Sequence, residues 1–145
     1  MIVPPSSGQL YLIDTSAHAR AQHPAVQAII AGLIADQAAA TAVTVDLEAG
    51  YSGRSAADVR AIARRRRALY AVLPISEVIA QRARDVQVAM AATGHHRAAG
   101  VIDLLTAAVA EYHGAVVLHY DADFDQIAAV TGQAHKWIVA RGTIT

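Results

Sequence analysis

Every apolar run that reads as a strand is separated from the next by a helical segment, and this alternation limits what the chain can become. The clearest strand is AVVLHY (115–120), and further short runs are GQLYLID (8–14), AAATAV (38–43), VLPI (72–75) and KWIVA (136–140). Between them, Val26, Ile29, Ile30, Leu33 and Ile34 recur at helical spacing. Ser55 with Asp58 forms a capping box before AADVRAIARRRRALYAV. Ser76 caps EVIAQRARDVQVAMAAT, with Gly94 as its stop. A further helix runs from about Ala98 to Gly114, and DFDQIAAV is a short one. Strands joined through helices form parallel sheets covered on both faces. The expected fold is therefore α/β, a three-layer sandwich with a mostly parallel central sheet. Residues 1–9 read as a loose leader and 10–145 as a single domain.

The 145 residues are enough for one core, and 54% hydrophobic against 17% charged residues excludes a disordered chain. No apolar stretch approaches the roughly 20 residues that span a bilayer, and the start lacks a signal-peptide pattern, so a cytoplasmic location is expected. Without cysteine there is no thiol nucleophile, disulfide framework or cysteine zinc site. A formal net charge of zero argues against coating nucleic acid by bulk electrostatics. The charges are nevertheless clustered, with Arg64–Arg67 consecutive.

Acids stand beside apolar structure at four places: LIDTS (Asp14), TVDLEAG (Glu48), GVIDLLTAA (Asp103) and HYDADFD (Asp121, Asp123, Asp125). In open α/β sheets ligands bind beyond the carboxyl ends of the strands, where Asp14 and Asp121 fall. Thr15 or Ser16 is placed to cap the segment after Asp14. Asp103 interrupts an apolar run, where an unpaired carboxylate is costly. A divalent cation removes that conflict. Mg²⁺ and Mn²⁺ prefer oxygen ligands, and Mg²⁺ keeps waters and substrate phosphate oxygens. Such a site suits phosphodiester hydrolysis by a metal-activated water. Each acid taken singly has a bland reading as a cap, a turn residue or an arginine partner.

A strand ending in D-T-S, a mid-chain helical Glu, a D-x-L-x-A-A helix and a late V-L-x-x-D-x-D-F segment together resemble the PIN-domain nucleases. The layout is similar to the VapC toxins of toxin–antitoxin pairs over about residues 10–140. The resemblance implies a Mg²⁺- or Mn²⁺-dependent endoribonuclease. It implies Asp14, Glu48, Asp103 and Asp121 as catalytic acids, and Asp14, Asp103, Asp121 and Asp123 as metal ligands. Ser16 matches the hydroxyl that supports the first acid, and Asp125 lies outside the motif. Asp46 competes with Glu48, but about 200° of helical rotation separates them, and Glu48 matches the family position. The implied partners are a VapB-type antitoxin, an RNA substrate (tRNA or rRNA) and a second copy in a homodimer. Apolar helices near residues 26–34 and 59–72 would form the antitoxin groove. The sequence departs from the family in the nine residues before Leu10 and in Thr106, which reads as a back-bonded helix threonine.

Arg64–Arg67 spans a full helical turn and points in all directions, so it reads either as a phosphate-contacting surface or as a solvated helix face. Arg64 and Arg97 are the candidates for RNA contact. No HExxH or H-x₃-H spacing supports a zinc centre among the seven histidines. His18 and His119 are possible general bases that the carboxylate scheme does not require. Trp137 reads as core or interface. The alternative function is a non-catalytic RNA-binding or regulatory module. A response-regulator receiver is disfavoured, because no early acid pair exists and the sole lysine, Lys136, follows the last helix.

Overall fold

The computed structural model describes residues 8–144. Five parallel strands are ordered β3-β2-β1-β4-β5: β1 Tyr11–Ile13, β2 Ala39–Thr41, β3 Ala71–Val72, β4 Val116–His119 and β5 His135–Trp137. Among the described residues seven helices join them: α1 Thr15–His18, α2 Pro24–Ala35, α3 Val43–Tyr51, α4 Ala56–Leu69, α5 Glu77–Ala91, α6 Val101–His113 and α7 Asp123–Thr131.

Strand alternation creates the layers, because successive side chains point to opposite faces. Leu12 and Val117 enter one core with Val45, Ile79, Met90, Leu104, Phe124 and Ile127, from α3, α5, α6 and α7. Ile13 and Leu118 enter the other with Ala17, Val26, Ile30 and Tyr70, beside α1, α2 and α4. The chain leaves β1 for β2 on one side, and β4 occupies the other side. The gap between the carboxyl ends of β1 and β4 is thus a topological switch point. Among the described residues, no helix is long and apolar enough to cross a membrane.

The leader lies largely outside the described residues; within it, Gln9 Nε2 donates to the carbonyls of Leu10 and Gly114. Several boundaries differ from expectation. Asp14, not Thr15 or Ser16, caps α1, accepting from the Ser16 N–H at 3.0 Å. The edge strand is Ala71–Val72, not the VLPI run, where Pro74 offers no N–H to a ladder. The last strand stops at Trp137, after which the Ile138 N–H donates to the His119 carbonyl. Helix α6 starts at Val101, because Gly100 is extended (φ −67°, ψ 151°). Thr106 is not back-bonded. Its hydroxyl meets that of Thr44 on α3 at 2.7 Å, and both are buried.

Candidate active site

Asp14 follows β1 and is only 3% exposed. Its Oδ2 is capped by Ser16, whereas Oδ1 is buried with no partner among the described residues. Burial pushes its carboxyl up, hydrogen bonds from Ser16 oppose this, and the Asp121 charge adds to the rise. Ser16 is a bridge between two strand ends, since its Oγ accepts from the Tyr120 N–H at 2.9 Å.

Asp121 follows β4 and turns back on itself: its Oδ1 accepts from the Asp123 N–H at 2.9 Å. Asp123 opens α7, and its Oδ2 accepts from the Gly100 N–H at 3.1 Å. That bond sets the start of α6 and hence Asp103 in its first turn. Asp103, Asp121 and Asp123 each place a carboxylate oxygen within 4.8 Å of the others. The Asp103 carboxyl is pushed up to about 8, first by burial, then by its hydrogen bond with Asp123 and by the charges of Asp14, Asp121 and Asp123. The crowded oxygens of Asp103, Asp121 and Asp123, beside an orphaned oxygen of Asp14, match the donor set of a hard divalent cation.

Asp14 and Glu48 lie outside that tightest triad. Glu48, half-buried on α3, accepts from the Thr15 hydroxyl at 3.0 Å, one residue from Asp14. Asp46 is turned elsewhere: its Oδ1 accepts from Arg66 Nε at 2.7 Å and from the Thr41 hydroxyl at 3.0 Å.

Comparisons with known proteins identify the family. The PIN domain family profile matches residues 10–130. The chain belongs to the PIN-domain family. Among relatives of this PIN domain, Ribonuclease VapC21 of Mycobacterium tuberculosis H37Rv is 41% identical over 133 residues, covering 92% of this chain and 96% of the relative. Ribonuclease VapC51 of the same strain is 45% identical over 136 residues, with 92% and 96% covered. In fold, the PIN domain is similar to a chain of DNA-bound VapBC2 from Rickettsia felis (TM-score 0.71, 15% identity, 88% of this chain and 98% of that chain). A chain of DNA-bound VapBC from Salmonella typhimurium gives TM-score 0.71 at 15% identity, with 90% and 99% covered.

The other candidates fall around this centre unequally. Arg97 is exposed in the turn before Gly100, and Arg64 is exposed on α4. Among the described residues neither has a hydrogen bond or ion pair with the acids. Of the arginine run, Arg66 is the buried member, so that part of α4 is not a solvated face. Asp125 accepts from Trp137 Nε1 at 3.1 Å and lies 3.8 Å from Arg141, which anchors α7 to β5.

His119 is engaged in structure, not offered as a base. Its Nδ1 accepts from the Asp121 N–H at 3.2 Å, so Nε2 carries the proton and faces His135 Nδ1 at 3.0 Å. Both ring nitrogens of His119 are engaged, so it forms a hydrogen-bonded pair with His135, and Asp125 stands 3.7 Å from His135 Nδ1. Burial pushes His119 down to about 4, and burial also pushes His18 down to about 4.

The apolar groove also differs from expectation. A cavity of about 500 Å³ lies between α3 and α4, lined by Leu47, Tyr51, Val59 and Val72 among others. Helix α2 contributes nothing to it, because Val26 and Ile30 are buried against the sheet.

Proposed function

We propose that this chain is a metal-dependent endoribonuclease, the toxin of a VapBC-type toxin–antitoxin pair. The observation that carries the reading is the convergence of Asp103, Asp121 and Asp123 beside the buried Asp14, at the switch point of a parallel sheet. Relatives named Ribonuclease VapC, more than 40% identical over nearly all of the chain, support the reaction class. Residues 10–145 act as one catalytic domain behind a short leader, in the cytoplasm.

Asp14, Asp103, Asp121 and Asp123 would hold Mg²⁺ or Mn²⁺. The ion supplies Lewis-acid polarisation of the phosphate and a water of lowered pKa. The protein residues set the rest. Ser16 fixes Asp14, and the Gly100 N–H fixes Asp123. Glu48 spends one oxygen on Thr15 and keeps the other to take a proton from the attacking water. Arg64 and Arg97 contact the RNA backbone.

The antitoxin is a VapB-type chain that fills the α3–α4 groove, and the toxin pairs with a second copy of itself. Neighbouring solved structures are VapBC assemblies, which supports this choice of partner. Its RNA is a tRNA or rRNA, cut in a single-stranded loop, where bases are open to recognition.

The test is a cleavage map of tRNA and rRNA with Mg²⁺ or Mn²⁺, beside Asp14→Asn and Asp103→Asn. Each variant should lose at least about 100-fold in rate, above the loss typical of outer-shell partners. Equal cutting by all three proteins would sink the mechanism. Binding without cutting by the parent would leave an RNA-binding module instead.

A further inference from the structure

A second feature adjoins Asp121. A pocket of about 520 Å³ is bordered by Ser16, Arg20, Tyr120, Asp121, Trp137 and Arg141. That volume lies within the usual range of about 300–1,000 Å³ for small-molecule sites.

Two guanidinium groups are stacked in it. Arg20 lies over the Tyr120 ring at 4.4 Å, and Arg141 lies over the Trp137 ring at 5.4 Å. The two rings meet edge to face at 5.1 Å. Residues 142–144 are tied to the same place by one hydroxyl. Tyr120 donates to the Ile144 carbonyl at 2.8 Å and accepts from the N–H groups of Gly142 and Ile144.

The arginines differ in how they are held. Arg20 Nη1 donates to the Ser16 carbonyl at 2.8 Å, its Nε is buried without a partner, and it has no ion pair among the described residues. Arg141 is 68% exposed and has only a 3.8 Å approach to Asp125, a weak surface pair that a stronger anion would displace. A guanidinium held by its face against a ring can still present N–H groups to a phosphate. Here two such guanidinium groups border a pocket beside a cluster of carboxylates. A polyanionic substrate is repelled by those carboxylates unless cations stand next to them.

We propose that this pocket is an RNA-backbone subsite, taking the phosphate next to the scissile one, with Arg20 as its fixed ligand and Arg141 as its movable ligand. This rests on the nuclease reading and adds to it a place for the substrate strand.

The experiment is single-turnover cleavage of a short, end-labelled, mixed-sequence single-stranded RNA with Mn²⁺, for the parent, Arg20→Met and Arg141→Met. Each variant should raise the half-saturating protein concentration about tenfold, the scale of a lost charged hydrogen bond, and leave the maximal rate nearly unchanged. Each should also flatten the salt dependence of affinity by about 0.7 in log–log slope, the single-strand value per phosphate contact. Mn²⁺ affinity by calorimetry should match the parent. Unchanged half-saturation and salt slope in both variants would overturn the subsite, as would loss of maximal rate at parental affinity. Arg141, being exposed, carries the test even where Arg20→Met fails to fold. A parent that cuts neither this RNA nor any tRNA or rRNA of the cleavage map overturns the nuclease reading, and this one with it.

Discussion

Asp103 and Asp123 stand on different helices and bring carboxylate oxygens within 4.8 Å of each other. Two acids that close favour holding a proton between them, which makes stability sensitive to pH. Asp103 is raised from an ordinary 3.8 to about 8, so the folded state binds its proton more tightly than the unfolded chain does. Its stabilising contribution is complete below about pH 4 and is lost as pH rises to about 8. His18 and His119, lowered from 6.5 to about 4, act in the opposite direction: their contribution is complete above about pH 6.5 and is lost as pH falls to about 4. Subtracting the Asp103→Asn melting temperature from the parent's isolates the first trend. In EDTA the difference should decline steadily from pH 4 to pH 8, and Mn²⁺ at pH 8 should raise the parent's Tm more than the variant's. A flat difference would mean that Asp103 ionises normally.

The Thr44–Thr106 pair predicts a non-additive result. Thr106→Val alone leaves a buried hydroxyl without its partner, at about 1–3 kcal/mol. Thr44→Val alone should cost the same. The double substitution, which removes both hydroxyls and keeps the shape, should return close to parental stability. Urea unfolding of the four proteins measures this, and additive losses would contradict it.

Arg66 joins α4 to Asp46 and to Thr41 on β2. Arg66→Met should destabilise by about 2 kcal/mol, between the ~1 kcal/mol ceiling for surface pairs and the ~3–5 kcal/mol for fully buried ones, because a third of the Asp46 side chain is exposed. Arg65→Met, on the exposed side of the same helix, should change stability by less than about 0.5 kcal/mol. Denaturant midpoints separate the two.

Tyr51 is 93% exposed, on the wall of the α3–α4 groove. If the antitoxin occupies that groove, Tyr51→Ala should weaken toxin–antitoxin binding by about 2 kcal/mol or more, as for buried aromatic anchors. RNA cutting by the free toxin should not change. Calorimetry against the antitoxin, beside a cleavage assay, tests both halves; undiminished affinity would place the partner elsewhere.

Much of this was legible along the chain because it has a local signature. Leu12 with Ile13 and Val117 with Leu118 announce strands covered on both faces, and Asp103 stands out where an aliphatic residue belongs. The 200° between Asp46 and Glu48 also anticipated their different neighbours. Contacts between distant segments leave no such trace. Arg20 is unremarkable until Tyr120 lies beneath it, and Thr106 looks like an ordinary helix threonine until Thr44 faces it. The inward turn of Arg66, rather than Arg65 or Arg67, depends on where Asp46 is, 20 positions away. Helix ends differ from expectation by one to three residues for the same reason, since the start of α6 is fixed by Asp123 from beyond β4.

The bond from Tyr120 to Ser16 spans 104 positions. On a ribosome, β1 emerges long before the strand it must lie beside. At about 5–20 residues per second, roughly 5–20 seconds pass before β4 can pair with it and bring Asp121 to Asp14. If Asp14 and Asp121 form the proposed centre, the nascent chain lacks it throughout that interval. The sheet order thus delays that centre until most of the chain has been made.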